Sequence, residues 1–185
     1  MLRIQFDPLS NYKIVNFLTG LPYCMIRADR LNVTSQLIDE ITRICNEPEV
    51  YRWIFRDILD GKPYPPSKAS EFVEWYSKGW REGSWFVFFV TTDGGQVAAA
   101  CDIKSNEADG AEIGYWASDN YRGVMTNAVV QLCTVARQAG FKSLIARIKK
   151  SNQRSARVLT RSGFVLEPGI DGDSSHDRFR LNLIA

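Results

Sequence analysis

Apolar positions along the chain change their period near residue 85. Before it they recur at helical spacing. Leu37, Ile38, Ile41 and Ile44 predict a helix that runs to about Cys45, with Ser35 as its cap. Asn46-Glu-Pro-Glu-Val-Tyr51 starts a second, short helix, with Pro48 in the first turn, where a missing N–H costs little. Residues 61–66 form a loop. Ser67, Ser70 and Glu71 open a third helix to about Glu82, which carries an aromatic stripe of Phe72, Trp75, Tyr76 and Trp80. Core packing is one reading of that stripe, and the wall of a binding pocket is the other. Residues 22–28 make a short strand. Residues 1–20 read as an irregular leader with a short helix around 13–18.

Beyond residue 85 the pattern favours strands. Residues 85–92 and 96–103 are rich in β-branched, aromatic and small apolar side chains, and Asp93-Gly94-Gly95 between them signals a hairpin. Further strands are expected at 112–117, 142–148, 164–166 and 178–184. Helices are expected at 123–139, ended by Gly140, and at 152–161, stopped by Gly163. The order describes an α+β chain with a βαβα segment in its second half. The strand after the central helix must lie parallel to the strand before it.

A length of 185 residues fits one domain, 1–185, with enough apolar content (45%) to build a core. The net charge of +2, from 23 basic and 21 acidic residues, gives no field suited to nucleic acid or an anionic membrane, and neither partner is expected. Cys24, Cys45, Cys101 and Cys133 share no C-x-x-C spacing and read as buried reduced thiols. With no signal-peptide pattern and no run of ~18 apolar residues, a cytoplasmic location is expected. No His/Cys/Asp cluster has metal-ligand spacing. His176, the single histidine, falls in a loop at 169–177 and reads as a solvated residue rather than a catalyst.

The candidate chemistry lies between Glu112 and Phe164. Asn120-Tyr-Arg-Gly-Val-Met-Thr126 joins a strand to a helix through a glycine turn, a generic phosphate site whose helix N–H groups are unpaired. It lacks the Gly-Lys-Ser/Thr of a Walker loop and the G-x-G-x-x-G of a dinucleotide fold. Three pieces are more specific together: Ala111-Glu-Ile-Gly-Tyr-Trp116, the turn Tyr121-Arg-Gly with Met-Thr-Asn-Ala128, and Asn152-Gln-Arg-Ser155 followed by Val158-Leu159 and Ser162-Gly-Phe164. In this order they resemble the GNAT N-acyltransferases, and most closely the branch of the ribosomal-protein-alanine N-acetyltransferases. The resemblance runs from about Cys24 to Ile184.

That resemblance implies a mixed, mostly antiparallel sheet of six or seven strands, flanked by helices, with a splayed parallel pair at its centre. It implies acetyl-CoA as cosubstrate, no metal, and an acetyl-CoA-binding core at 112–166. The pantetheine arm would pair with Ile113, Tyr115, Trp116 and Ala117. The pyrophosphate would sit on Asn120, Arg122, Gly123, Val124, Met125 and Thr126, and Asn152 and Ser155 would meet the arm near the thioester. Ser155 would act as the acid on the leaving thiolate, because the tyrosine that several relatives carry is here Leu159. Glu112, the one carboxylate of residues 113–117 and their lead-in, is the candidate base, set against a plain ion pair. The acceptor would be a small amine or a protein N-terminus. Trp53, Phe55, Arg56, Tyr64 and Trp80 would bind it from one side; on the other, Asp171, Asp173 and Asp177 read either as acids that attract an amine or as a solvated acidic loop, and the second reading is favoured. The phosphate turn is about two residues shorter than the family pattern, so either its second glycine is lost or Asn120-x-x-Gly123 is the loop with a shortened lead-in. A non-catalytic acyl-CoA-binding or protein-interaction module is the competing reading, and a homodimer is a state relatives often adopt.

Overall fold

The structure is a computed structural model that describes residues 4–8, 11–167 and 175–184. Its framework is an eight-stranded sheet in the order β1-β2-β3-β4-β5-β6-β8-β7. The strands are β1 (Tyr12–Val15), β2 (Pro22–Arg27), β3 (Phe86–Thr91), β4 (Val97–Ile103), β5 (Asp109–Ala117), β6 (Ser143–Lys149), β7 (Val165–Glu167) and β8 (His176–Asn182). The helices are α1 (Ser35–Cys45), α2 (Pro48–Val50), which continues as a π-helical turn Tyr51–Phe55, then α3 (Pro66–Glu82), α4 (Val124–Ala139) and α5 (Gln153–Arg161).

All strand pairs are antiparallel except β5 with β6, which are joined through α4. Two apolar clusters fill the two faces. Phe86, Phe88 and Val90 of β3 face α4, while Val87 and Phe89 face α1 and α3. The uninterrupted apolar run of β3 is thus a strand buried on both sides.

The sheet has one strand more than expected, and the extra strand is β1, where a short helix was anticipated around residues 13–18. Ile14 is buried while Lys13 and Val15 point out, a period of two rather than 3.6. Pairing with β2, from Tyr12↔Met25 to Val15↔Pro22, satisfies more backbone groups than one isolated helical turn could. Smaller shifts have local causes. Thr34, not Ser35, caps α1, because its extended backbone lets Oγ1 accept from the Leu37 N–H (3.2 Å). Pro66, not Ser67, opens α3. His176 begins a strand instead of sitting in a loop.

The central pair is the feature that makes room for a site. β5 and β6 pair only from Asp109↔Ser143 to Glu112↔Ile145. Beyond that, β5 stays with β4 as far as Ala117, and β6 stays with β8 as far as Lys149. The two half-sheets therefore diverge and, among the described residues, leave one edge of β5 without a strand partner.

Candidate active site

Two adjoining hollows open at the divergence. The first is a cavity of about 480 Å³ between the π-helical turn, α3, β4, β5 and β6. The second is a cleft between the ends of β5 and α5, with the start of α4 as its floor. Tyr115, Trp116, Asn152 and Ser155 line both and mark the junction.

At that junction Tyr115 Oη lies 2.6 Å from Ser155 Oγ and donates to the Ser155 carbonyl at 3.3 Å. Burial raises the Tyr115 pKa well above the usual phenol value, against a smaller opposing effect of the Ser155 bond. The phenol is therefore protonated at neutral pH. Asn152 caps α5, its Oδ1 accepting from the Ser155 N–H at 3.1 Å, and so fixes where Ser155 stands.

Asp102 on β4 lines the cavity, and no signal in the sequence marked it. Its Oδ1 accepts from the Gly114 N–H (2.7 Å) and its Oδ2 from Trp85 Nε1 (3.1 Å). Loss of hydration raises its pKa above the ordinary carboxylate value. Lys104, Trp85 and the Gly114 N–H oppose that rise, and Glu112 adds to it. The glycine of Glu-Ile-Gly-Tyr-Trp is explained here too, since a Cβ at Gly114 would lie 2.7 Å from Asp102 Oδ1. Asp102 is the only carboxylate of the cavity lining among the described residues.

Glu112 is placed differently from its sequence expectation as a base. It does not line either hollow. It bridges Lys104 Nζ (2.7 Å) and Arg147 Nη1 (2.6 Å). Burial pushes its pKa up, but the two cations outweigh that and hold it below the ordinary value. A carboxylate so held is a weak proton acceptor.

The cavity walls come from far-separated segments. Trp53 and Phe55 line it as expected, as does Tyr64, and they are joined by Phe72, Trp75, Trp85 and Trp116. The aromatic stripe of α3 therefore serves both roles, with Phe72 and Trp75 on the cavity and Tyr76 and Trp80 in the core. Trp80 departs from its expected substrate-binding place. It packs edge-on against Phe86 and Phe88 at 5.2 Å, and its Nε1 donates to the Val87 carbonyl. Arg56 is exposed and outside the lining. His176 borders the cavity, with Nδ1 2.8 Å from Ser175 Oγ. Asp171 and Asp173 lie outside the described residues, and Asp177, on β8, pairs in register with Ile148 of β6. Cys45 and Cys101 also line the cavity as thiols, since burial raises both above the ordinary value, Cys45 to about 12.

The cleft is built around a tight turn. Ser118 starts a 3-10 turn, Asp119–Tyr121, and Gly123 (φ 95°) caps α4. Glu47, next to Pro48, holds this turn through Ser118 Oγ (2.8 Å) and the Asp119 N–H (2.6 Å). From the other side the β1–β2 turn leans on it. The Phe17 N–H donates to the Gly123 carbonyl, Asn16 Nδ2 donates to the Arg122 carbonyl, and a Cβ at Gly123 would lie 2.5 Å from Asn16 Oδ1 and 2.7 Å from Leu18. Tyr115, Trp116, Ala117, Arg122, Gly123, Met125, Thr126, Asn152 and Ser155 line the cleft, and Ile113 lines the cavity. Asn120 is exposed outside the cleft, and the Val124 side chain is wholly buried in the core, while its backbone opens the first turn of α4.

An arginine row supplies charge that the sequence pattern did not signal. Arg154, Arg157 and Arg161 follow one another on one face of α5 and line the cleft with Arg122. Arg154 meets Glu49 (3.1 Å) and Asp119 (3.4 Å), and Arg161 lies over the Phe17 ring (5.1 Å). Among the described residues no group of three His, Cys, Asp or Glu is arranged to hold a metal ion, and no helix is long and apolar enough to cross a membrane.

A family model described as "Acetyltransferase (GNAT) domain" matches residues 31–165. Several solved structures share the fold at low identity. The GNAT domain of PAT from S. lividans aligns with a TM-score of 0.73 and 15% identity, over 96% of this chain and 99% of that one. RimJ of Mycobacterium smegmatis, in complex with CoA-disulfide, aligns with a TM-score of 0.73 and 16% identity, over 95% and 88%. The N-acetyltransferase PseH of Campylobacter jejuni, in complex with acetyl coenzyme A, aligns with a TM-score of 0.60 and 19% identity, over 86% and 98%. No curated protein matches the sequence. The split central pair, the glycine-capped α4 and a family match over most of the sequence agree, and the chain belongs to the GNAT acetyltransferase family.

Proposed function

We propose that the protein transfers an acetyl group from acetyl-CoA to a primary amine by direct attack, with a small amine or a protein N-terminus as acceptor. The observation that carries this reading is the Tyr115–Ser155 pair, held 2.6 Å apart where the two hollows meet. Structural neighbours solved with CoA or acetyl-CoA support the choice of donor.

In this reading the cleft takes the CoA moiety. The arm runs along the unpartnered edge of β5, and the phosphates meet the first turn of α4 and the side chains of Arg157 and Arg161. The thioester then lies beside Tyr115 and Ser155, and the amine enters from the cavity. Asp102 removes the amine proton, directly or through one water, because its raised pKa makes it a better acceptor at neutral pH than an ordinary carboxylate. The neutral nitrogen attacks the thioester carbonyl. A backbone N–H on the open edge of β5 stabilises the oxyanion. The C–S bond breaks, and the thiolate takes a proton from Tyr115, which Ser155 orients or relays.

A non-catalytic acyl-CoA binder remains a second reading because Asn16 and Leu18 press on the phosphate turn. One experiment separates the two: melting with and without acetyl-CoA, followed by release of free CoA in the presence of an amine panel. A ligand at 100 times its Kd should add ~2.7 kcal/mol of stability. A melting shift without turnover on any amine supports the binder. No shift at millimolar acetyl-CoA overturns both.

A further inference from the structure

The acceptor cavity is unusually rich in one residue type. Four of the five tryptophans of the chain, Trp53, Trp75, Trp85 and Trp116, line it, with Phe55 and Phe72 between them. The fifth, Trp80, lies in the core. Such rings recur at ligand sites because they offer large, rigid, apolar surfaces. The polar tips of two are already committed. Trp85 Nε1 donates to Asp102, and Trp53 Nε1 donates to Glu49 (3.3 Å). Those two rings therefore present apolar surface to a ligand.

The charges argue in the same direction. Lys104, Arg147 and Lys149 border the cavity, against the single carboxylate Asp102. Lys104 and Arg147 share Glu112, and Lys149 pairs with Asp57 (2.5 Å). A polyamine or aminoglycoside would have to seat several separate ammonium and hydroxyl groups around one lining carboxylate, and most of them would face apolar surface in place of the water they give up. One amine beside Asp102 is well placed, because the surrounding cations favour the neutral, nucleophilic form.

We propose that the acceptor is a primary amine carried on a planar apolar body, of the arylalkylamine or aromatic amino-acid type. This rests on the acetyl-transfer reading. The ring packs against the wall that Phe72, Trp75 and Trp85 form together, and the amine reaches Asp102 and the thioester.

The test has two readouts. Tryptophan emission of the protein without donor is titrated with benzylamine, phenethylamine, spermidine, kanamycin and a peptide with an N-terminal serine. Acetylation of the same compounds is then measured at saturating acetyl-CoA. The expected result is saturable quenching by the two aryl amines, and a kcat/KM for them on the order of 100-fold above the polycations and the peptide, the ratio that burying one ring gives. Trp75→Ala should weaken aryl-amine quenching and kcat/KM about tenfold, with Phe72→Leu as a milder second variant, and the melting shift with acetyl-CoA reports that each variant is folded. The proposal is overturned if spermidine, kanamycin or the peptide is the better substrate. It is equally overturned if neither aryl amine quenches nor reacts, or if Trp75→Ala and Phe72→Leu both leave aryl-amine binding unchanged. An absent acetyl-CoA shift in the unaltered protein refutes the acetyl-transfer reading instead, and with it the acceptor role, whatever the fluorescence shows.

Discussion

The cleft and the cavity meet at Tyr115 and Ser155 but are built on different principles. The cleft is made mostly from the second half of the chain, from the end of β5, the turn that follows, the start of α4 and one face of α5, with the β1–β2 turn and α2 at its rim. Backbone groups do much of its work, so it tolerates many side chains and leaves short motifs. The cavity is made from side chains contributed by α1, the π turn, α3, five strands and their flanks. Its chemistry depends on which residue stands at each place, and no local motif connects them. A site of the first kind conserves a geometry, while a site of the second kind sets a specificity.

The largest effect is expected where the two meet. Tyr115→Phe removes the proton donor and should lower kcat by about 10²-fold or more, within the range of general acid catalysis. Ser155→Ala should cost less, because the phenol remains. Both are read from single-turnover acetylation at saturating acetyl-CoA. If Ser155→Ala proves the more damaging of the two, the serine is the acid and Tyr115 its support.

One step into the cavity, Asp102→Asn should lower kcat/KM by about 10²-fold. A base must be ionised to work, so the rate should fall as pH drops through the Asp102 pKa. Desolvation places that value above the ordinary carboxylate range, and the acid limb should lie correspondingly high. The asparagine variant should lose that limb. A limb that survives the substitution would mean that another group, or the amine itself, sets it.

On the cleft side the expected effect is smaller and of another kind. Arg157→Ala with Arg161→Ala should raise the KM for acetyl-CoA about tenfold, as expected when two charge-assisted contacts to phosphate are lost. The dependence of KM on salt should flatten in the same variant, since exposed charges are screened. Acetyl-pantetheine, which lacks the phosphates, should show neither change. Equal losses for both donors would point to a disturbed α5 instead.

The same division explains what could be read from the sequence. Asn152, Ser155 and Gly163 are a cap, a first-turn residue and a turn glycine, so their spacing alone announces α5, and the strand–helix order announces the parallel pair. β1 was missed because four residues carry too little pattern, and its pairing with β2 is a tertiary fact. Asp102 was missed because an acid inside an apolar strand carries no motif, and its meaning comes only from Gly114 and Trp85 standing opposite. Trp80 and Trp75 differ by five positions on α3, a rotation that puts one in the core and the other on the cavity, and composition cannot distinguish them.

The smallest effect is expected at Glu112, and it bears on the comparison most directly, because the sequence left it as either a base or an ion-pair member and the structure shows it bridging Lys104 and Arg147. Glu112→Gln should leave the shape of the pH–rate profile unchanged and alter kcat by no more than a few fold. Its consequence is for stability. The folded carboxylate titrates below its unfolded value because Lys104 and Arg147 outweigh the cost of burial, so its ion pairs stabilise the fold above the ordinary carboxylate range and that stabilisation is lost as pH falls through the depressed value. At neutral pH the glutamine variant should therefore melt earlier, by the equivalent of about 1 kcal/mol for a partly exposed bridge. In acid the two melting curves should converge, since both then carry a neutral side chain between the two cations. A variant that instead loses the acid limb of the rate profile would restore Glu112 as the base and leave Asp102 as its structural neighbour.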